Sequence, residues 1–135
     1  MRNKFLGTGT PGYHPVRKVR TVISGLRYAV LYDASVAYKL VLSAVVLVAA
    51  FALRAWVDFL LIVLVTAFVV VAEMFNSAIE ALCDFIEVRH NEKIKVIKDI
   101  AAAAVGLTIV VWIVVLAVET ARFWPALAGA TGGVR

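Results

Sequence analysis

Phe59 to Val71 is an apolar run broken only by Thr66, and it leads directly into Ala72-Glu73-Met74-Phe75-Asn76-Ser77-Ala78-Ile79-Glu80-Ala81-Leu82-Cys83-Asp84. Taken as one continuing helix at about 100° per residue, Glu73, Asn76, Ser77, Glu80 and Asp84 fall on a single face. Three carboxylates and two hydrogen-bonding side chains therefore line up where an apolar helix meets a polar environment. An acid at the centre of a bilayer costs roughly 2.5–3.5 kcal/mol on insertion scales, and less near the interface. A helix that merely emerges into water can carry such acids, but emergence alone does not require five polar groups to share a face.

The rest of the chain fits a membrane setting. Of 135 residues, 63% are hydrophobic, against about 45–50% in soluble domains. Mean hydropathy is +0.94. The length allows one domain, with lipid rather than a conventional core covering much of its surface. Cys83 is the sole cysteine, so no internal disulfide can form; it reads as a small packing residue.

Residues 1–15, with Gly7, Gly9, Pro11, Gly12 and Pro15, read as a flexible N-terminal segment, and His14 belongs to it. Gly7 to Gly12 is not a P-loop, since it lacks the Gly-Lys-Ser/Thr ending, and the segment has no signal-peptide apolar core. Residues 16–32 form a predicted amphipathic surface helix. Arg17, Lys18, Arg20 and Arg27 supply cations for lipid headgroups, and Val19, Val22, Ile23, Leu26, Val30 and Leu31 an apolar face.

Three predicted transmembrane helices follow, at about 34–56, 58–86 and 99–119, within a single unit 16–125 that ends in a tail, 126–135. Lys39 and Arg54 lie near the ends of the first span, where they can snorkel, and Trp56 fits an aromatic belt. The second helix is long enough for its C-terminal part to project beyond a core of about 30 Å. Residues 87–98 form a polar connection. Ala101 to Ala104 and Gly106 are small enough to let helix backbones approach closely. The basic residues are distributed seven through Lys39, one in the first loop, four in the second and two in the tail. The N-terminus and the loop 87–98 are therefore expected in the cytoplasm and the C-terminus across the membrane. Asp33, the acidic face and Lys98-Asp99 then share the cytoplasmic interface. Acids gathered at one interface, rather than at mid-span, argue against a cation transport path.

Glu73-x-x-Asn76-Ser77-Ala78-Ile79-Glu80-Ala81-x-x-Asp84, followed by Lys98-Asp99-x-Ala101-Ala102-x-Ala104-Val105, resembles the signature of the prokaryotic diacylglycerol kinase family. Gly25-Leu26-Arg27 looks like its N-terminal segment, so the resemblance covers roughly 16–120. It implies an all-α integral membrane fold and a small homotrimer of the bacterial inner membrane. Active sites shared between subunits would use ATP and magnesium to phosphorylate a membrane lipid. The acceptor implied first is diacylglycerol, giving phosphatidic acid. Undecaprenol is the alternative, because the motif does not distinguish lipid tails. A non-catalytic oligomeric membrane protein is the reading from a different class, and nucleic acid is not an expected partner.

By resemblance, Glu73 would be the general base, and Asp33 and Glu80 the magnesium ligands, also facing the nucleotide. Arg17, Arg89, His90, Lys98 and Asp99 would contact nucleotide, and Glu73, Asn76, Arg27 and Ala102 the lipid. Asp33 stands where the family usually has a glutamate, one methylene longer. Arg89-His90-Asn91 replaces the acid-aromatic-histidine triplet of many relatives, and Lys39 stands where some carry an acid. The chemistry agrees with these residue types. Phosphoryl transfer needs a group to orient the attacking hydroxyl, a metal across the phosphates and cations against developing charge. Magnesium takes oxygen ligands, often one or two carboxylates with nucleotide phosphates.

Overall fold

The structure, a computed structural model, describes residues 15–132. Among these, four helices and no strand are present: α1 (Pro15–Tyr32), α2 (Ala34–Ala52), α3 (Trp56–Ile86) and α4 (Glu92–Gly132). The expected flexible segment lies outside the described residues, apart from Pro15, which opens α1. The chain divides into two compact units, residues 1–33 and residues 34–135.

In the first unit, α1 buries none of its residues. Proline suits a first helical position, where its missing N–H has no helical partner. The Thr21 hydroxyl donates to the Arg17 carbonyl at 2.9 Å, and Tyr28 stacks on Tyr32 with ring centroids 5.6 Å apart. The Asp33 N–H donates to the Ala29 carbonyl, and Asp33 ends the unit.

In the second unit α3 packs against both α2 and α4. All three are long and apolar enough to cross a membrane. Their outward residues include Val45, Leu60, Phe68, Leu107 and Val110, all well exposed. That surface suits hydrocarbon, where each backbone group must be satisfied within its own helix. Inward, Val36, Ala50, Ile62, Val69, Ala101, Val105 and Trp112 are buried. Lipid tails are as apolar as these side chains, so close packing and interhelical hydrogen bonds hold the helices together. Ser43 is the hub of one such set: its hydroxyl accepts from Thr66 at 2.8 Å and from the Trp112 indole at 2.9 Å, joining three helices.

α2 ends at Ala52, short of the expected 56, in a left-handed cap. Arg54 has φ 54°, its N–H donates to the Phe51 carbonyl, and the Ala55 N–H donates to the Ala50 carbonyl at 2.9 Å. This is the paired hydrogen-bond pattern of a Schellman motif, with arginine where glycine is usual. Phe51 meets Trp56 edge-on across the turn.

α3 spans 31 residues, about 46 Å, which is longer than a hydrocarbon core of about 30 Å. The polar connection is shorter than 87–98, because α4 begins at Glu92. The Asn91 side chain accepts from the Lys93 N–H at 3.0 Å and so caps that helix. The start of α4 therefore rises alongside the end of α3. At its other end α4 continues past 119 and through Pro125 to Gly132. The tail expected from residue 126 is helical as far as that glycine. The small residues of α4 are used unevenly. Ala101 is buried with Val105 one turn on, whereas a side chain built at Gly106 meets nothing within 4 Å. Gly106 therefore permits no close approach inside this chain.

Candidate active site

The acids of α3 need cations from elsewhere, because α3 itself carries no Lys, Arg or His. Its neighbours supply three. Asp58 receives Arg122 of α4 at 2.8 Å, Glu73 receives Lys39 of α2 at 2.6 Å, and Asp84 receives Lys98 of α4. Glu80 is the exception. Its carboxylate takes only the amide of Asn76, one turn earlier, at 2.8 Å, and it forms no ion pair among the described residues. Asn76 completes the contrast: its Oδ1 is the only buried side-chain polar atom among the described residues without a hydrogen-bond partner. A buried acceptor left unpaired costs about 1–3 kcal/mol, a cost that a water, an ion or a ligand group placed there relieves.

Glu73 lies deeper than the rest of its face. It is 7% exposed, while Ser77, Glu80 and Asp84 are exposed and Asn76 is half-buried. Lys39 does not snorkel: it is 1% exposed and turned inward. Its ammonium donates to Glu73 Oε1, to Ser35 Oγ at 3.2 Å and to the Ser35 carbonyl at 3.3 Å, and it lies 4.6 Å from the centre of the Tyr38 ring. All three donors are thereby used, which removes the reason to reach for water. Burial also keeps Lys39 from meeting a lipid headgroup directly.

Lys98 is half-buried on the first turns of α4, against Asp84, with Asp99 beside it in sequence and Ala102 one turn further, both exposed. Arg89 is exposed, and its N–H is held by the Glu87 side chain at 3.0 Å. His90 pairs with Glu92 at 2.8 Å, with both side chains exposed. Arg17, Arg27 and Asp33 belong to the first unit, where Arg17 and Arg27 are exposed and Asp33 is half-buried. The structure thus brings Asn76 to Glu80 and Lys98 to Asp84. It gives Glu73 a partner that the sequence reading did not assign.

No three His, Cys, Asp or Glu side chains among the described residues come together as a metal cage. Magnesium on a nucleotide is commonly held by phosphate oxygens and water with one or two carboxylates, so it does not require such a cage. Glu80 and the unpaired Asn76 oxygen are hard oxygen donors of the required kind. Two apolar grooves lie elsewhere, one along Val65, Phe68 and Val111, and one along Val45, Trp112 and Trp124. Neither is lined by any residue of the acidic face.

The polar residues missed from sequence were Ser43, Thr66 and Trp112 as one set, and Asp58, Glu119 and Arg122 as another. Ser43 and Thr66 did stand out as the polar breaks in apolar runs. Compared with known families, residues 20–119 match the family model described as prokaryotic diacylglycerol kinase. No curated protein and no solved structure matches the chain.

Proposed function

The chain belongs to the prokaryotic diacylglycerol kinase family, whose members are lipid kinases of the diacylglycerol and undecaprenol kinase kind, and we propose that it transfers the terminal phosphoryl group of ATP to the hydroxyl of diacylglycerol, giving phosphatidic acid. The observation that carries this reading is the imbalance on α3. Of its four acids only Glu80 forms no ion pair among the described residues, Lys98 of α4 acting on it only through space, and it sits beside an unpaired amide oxygen on the face that the family motif occupies.

In this reading Glu73 takes the proton from the acceptor hydroxyl, as a general base near the depth at which a lipid headgroup lies. Asn76 orients the hydroxyl or Glu73. Glu80 and Asp33 would hold magnesium, which when bound offsets charge on the phosphates. Lys98 and Asp99 address the nucleotide, with Lys98 steadied by Asp84. Arg17, Arg89 and His90 are the further nucleotide contacts proposed, and Arg27 and Ala102 the further lipid contacts. Assembly as a homotrimer with sites shared between chains, in the inner membrane with the acidic face toward the cytoplasm, belongs to the same proposal.

The test is magnesium-dependent labelling of defined lipids by purified protein and radiolabelled ATP, with diacylglycerol and undecaprenol in competition. Labelling of diacylglycerol that Glu73→Gln abolishes is the expected result. Equally slow labelling of both lipids overturns the acceptor assignment. Full activity in both Glu73→Gln and Glu80→Gln overturns the catalytic reading.

A further inference from the structure

Lys39 is the only cation on α2, α3 has none, and α4 carries no titratable side chain between Asp99 and Glu119. The contacts of Asp84 with Lys98 and of Asp58 with Arg122 set α3 and α4 antiparallel, in a register that places Glu73 level with the uncharged middle of α4. On these three packed helices, Lys39 is therefore the counter-charge available to Glu73. Among the described residues of these three helices, the titratable groups next nearest along the chain are Tyr38, on α2, and Glu80, two turns along α3.

The contact is specific in its atoms. Lys39 Nζ meets Glu73 Oε1 at 2.6 Å and is anchored from behind by both oxygens of Ser35. Among the described residues the second Glu73 oxygen accepts no hydrogen bond, and the side chain keeps 9% of its surface exposed. One oxygen is thus fixed and the other left to accept.

We infer that Lys39 is a positioning residue for the phosphoryl-transfer reaction. By gripping Oε1 it sets the Glu73 side chain so that the second oxygen faces the acceptor hydroxyl, and it supplies the counter-charge that a carboxylate at this depth needs. Lys39 touches neither lipid nor nucleotide and acts through Glu73 alone. This rests on the assignment of Glu73 as the base.

The experiment is a double-mutant cycle on kcat in the full-length protein in lipid bicelles, with diacylglycerol and magnesium-ATP as substrates and rates normalised to folded protein. Lys39→Met is expected to lower kcat by about 30–100-fold and to leave KM for ATP within about twofold, because a misplaced base costs rate rather than nucleotide binding. Lys39→Arg, which keeps the charge and a donor, regains most of the loss. In the Glu73→Gln background, Lys39→Met lowers the residual kcat no further, since residues that act as a unit are not additive. A Lys39→Met enzyme within about threefold of wild type, or faster than it, overturns the inference. So does a Lys39→Arg enzyme no better than Lys39→Met, or a second multiplicative loss in the Glu73→Gln background. Should Lys39→Met alone fail to fold, the double variant, which leaves no buried charge behind, and Lys39→Arg carry the same comparison. Full activity in Glu73→Gln removes the base assignment itself. A dead Glu73→Gln beside an unaffected Lys39→Met removes only the role given to Lys39.

Discussion

The two ends of α3 use the same residue types for different ends. At its N-terminal end, Asp58 shares Arg122 with Glu119, so that two carboxylates converge on one guanidinium. Glu119 is buried and Arg122 lies mostly in the open, which is an anchoring arrangement: the inner charge is covered by a partner that water can still reach. At the C-terminal end the acids are not gathered in this way. Glu73 and Asp84 each take a cation from a different helix, Glu80 forms no ion pair among the described residues, and among these the Asn76 oxygen is left buried and unpaired. Charge that is fully answered holds helices together. Charge and polarity left unanswered on an otherwise satisfied helix mark where a ligand belongs.

The comparison breaks most sharply on Glu80. Because Glu80 is exposed and forms no ion pair, Glu80→Gln is expected to leave the thermal unfolding midpoint unchanged while activity falls by at least about 100-fold, the size of effect expected when a metal-facing carboxylate is lost. An unfolding curve and a magnesium titration of lipid labelling, run on the same preparation, check both halves. Unchanged activity at every magnesium concentration would place Glu80 with the anchoring acids instead.

Arg122→Met probes the opposite end and should reverse that pattern. It strips the partner from buried Glu119 and from Asp58 together, so the unfolding midpoint drops by more than in any uncharged substitution in the helix contacts. The kcat per folded molecule is unchanged, because the cluster lies at the far end of α3 from the acidic face. A kinetic defect in folded Arg122→Met protein would show that the two ends are not separable.

How much of this the sequence carried depends on which signal was at work. The three long apolar helices and the shared face of Glu73, Asn76, Ser77, Glu80 and Asp84 follow from hydropathy and a period of 3.6, and both were legible. The inward turn of Lys39 was not. α2 is apolar nearly all round, so nothing in its pattern says which side meets α3 and which meets lipid, and a lysine near its end reads as a snorkelling one. Likewise Ser43 and Thr66 were visible as interruptions, but their meeting depends on the interhelical register. The end of α4 was misjudged for a local reason. Pro125 loses one backbone hydrogen bond and crowds the carbonyl four residues back, which can kink a helix without ending it, and the alanines that follow are strong helix formers, so the helix runs on to Gly132.

Between charged clusters and apolar packing stands the hydrogen-bonded set at mid-helix. Ser43→Ala removes the acceptor of both Thr66 and the Trp112 indole without opening a large cavity. Interhelical hydrogen bonds in membranes average about 0.6 kcal/mol, so a loss of about 1–2 kcal/mol in unfolding free energy is expected, with kcat retained. A loss smaller than a few tenths of a kcal/mol would mean that packing alone fixes the register of α2 on α3.

The smallest expected effect lies in the turn between α2 and α3. Arg54 occupies the left-handed position that closes α2, a conformation that costs a residue with a Cβ about 1 kcal/mol and costs glycine little. Glycine is also freer in the unfolded chain, which gives back part of that gain. Arg54→Gly should therefore raise stability by no more than about 0.5–1 kcal/mol and leave activity untouched, since the cap satisfies the Ala50 and Phe51 carbonyls through backbone N–H groups that any residue supplies. A marked loss of stability would show that the Arg54 side chain, and not only its backbone, holds this end of the helical hairpin, and charge would then anchor α3 at its start through two basic residues rather than one.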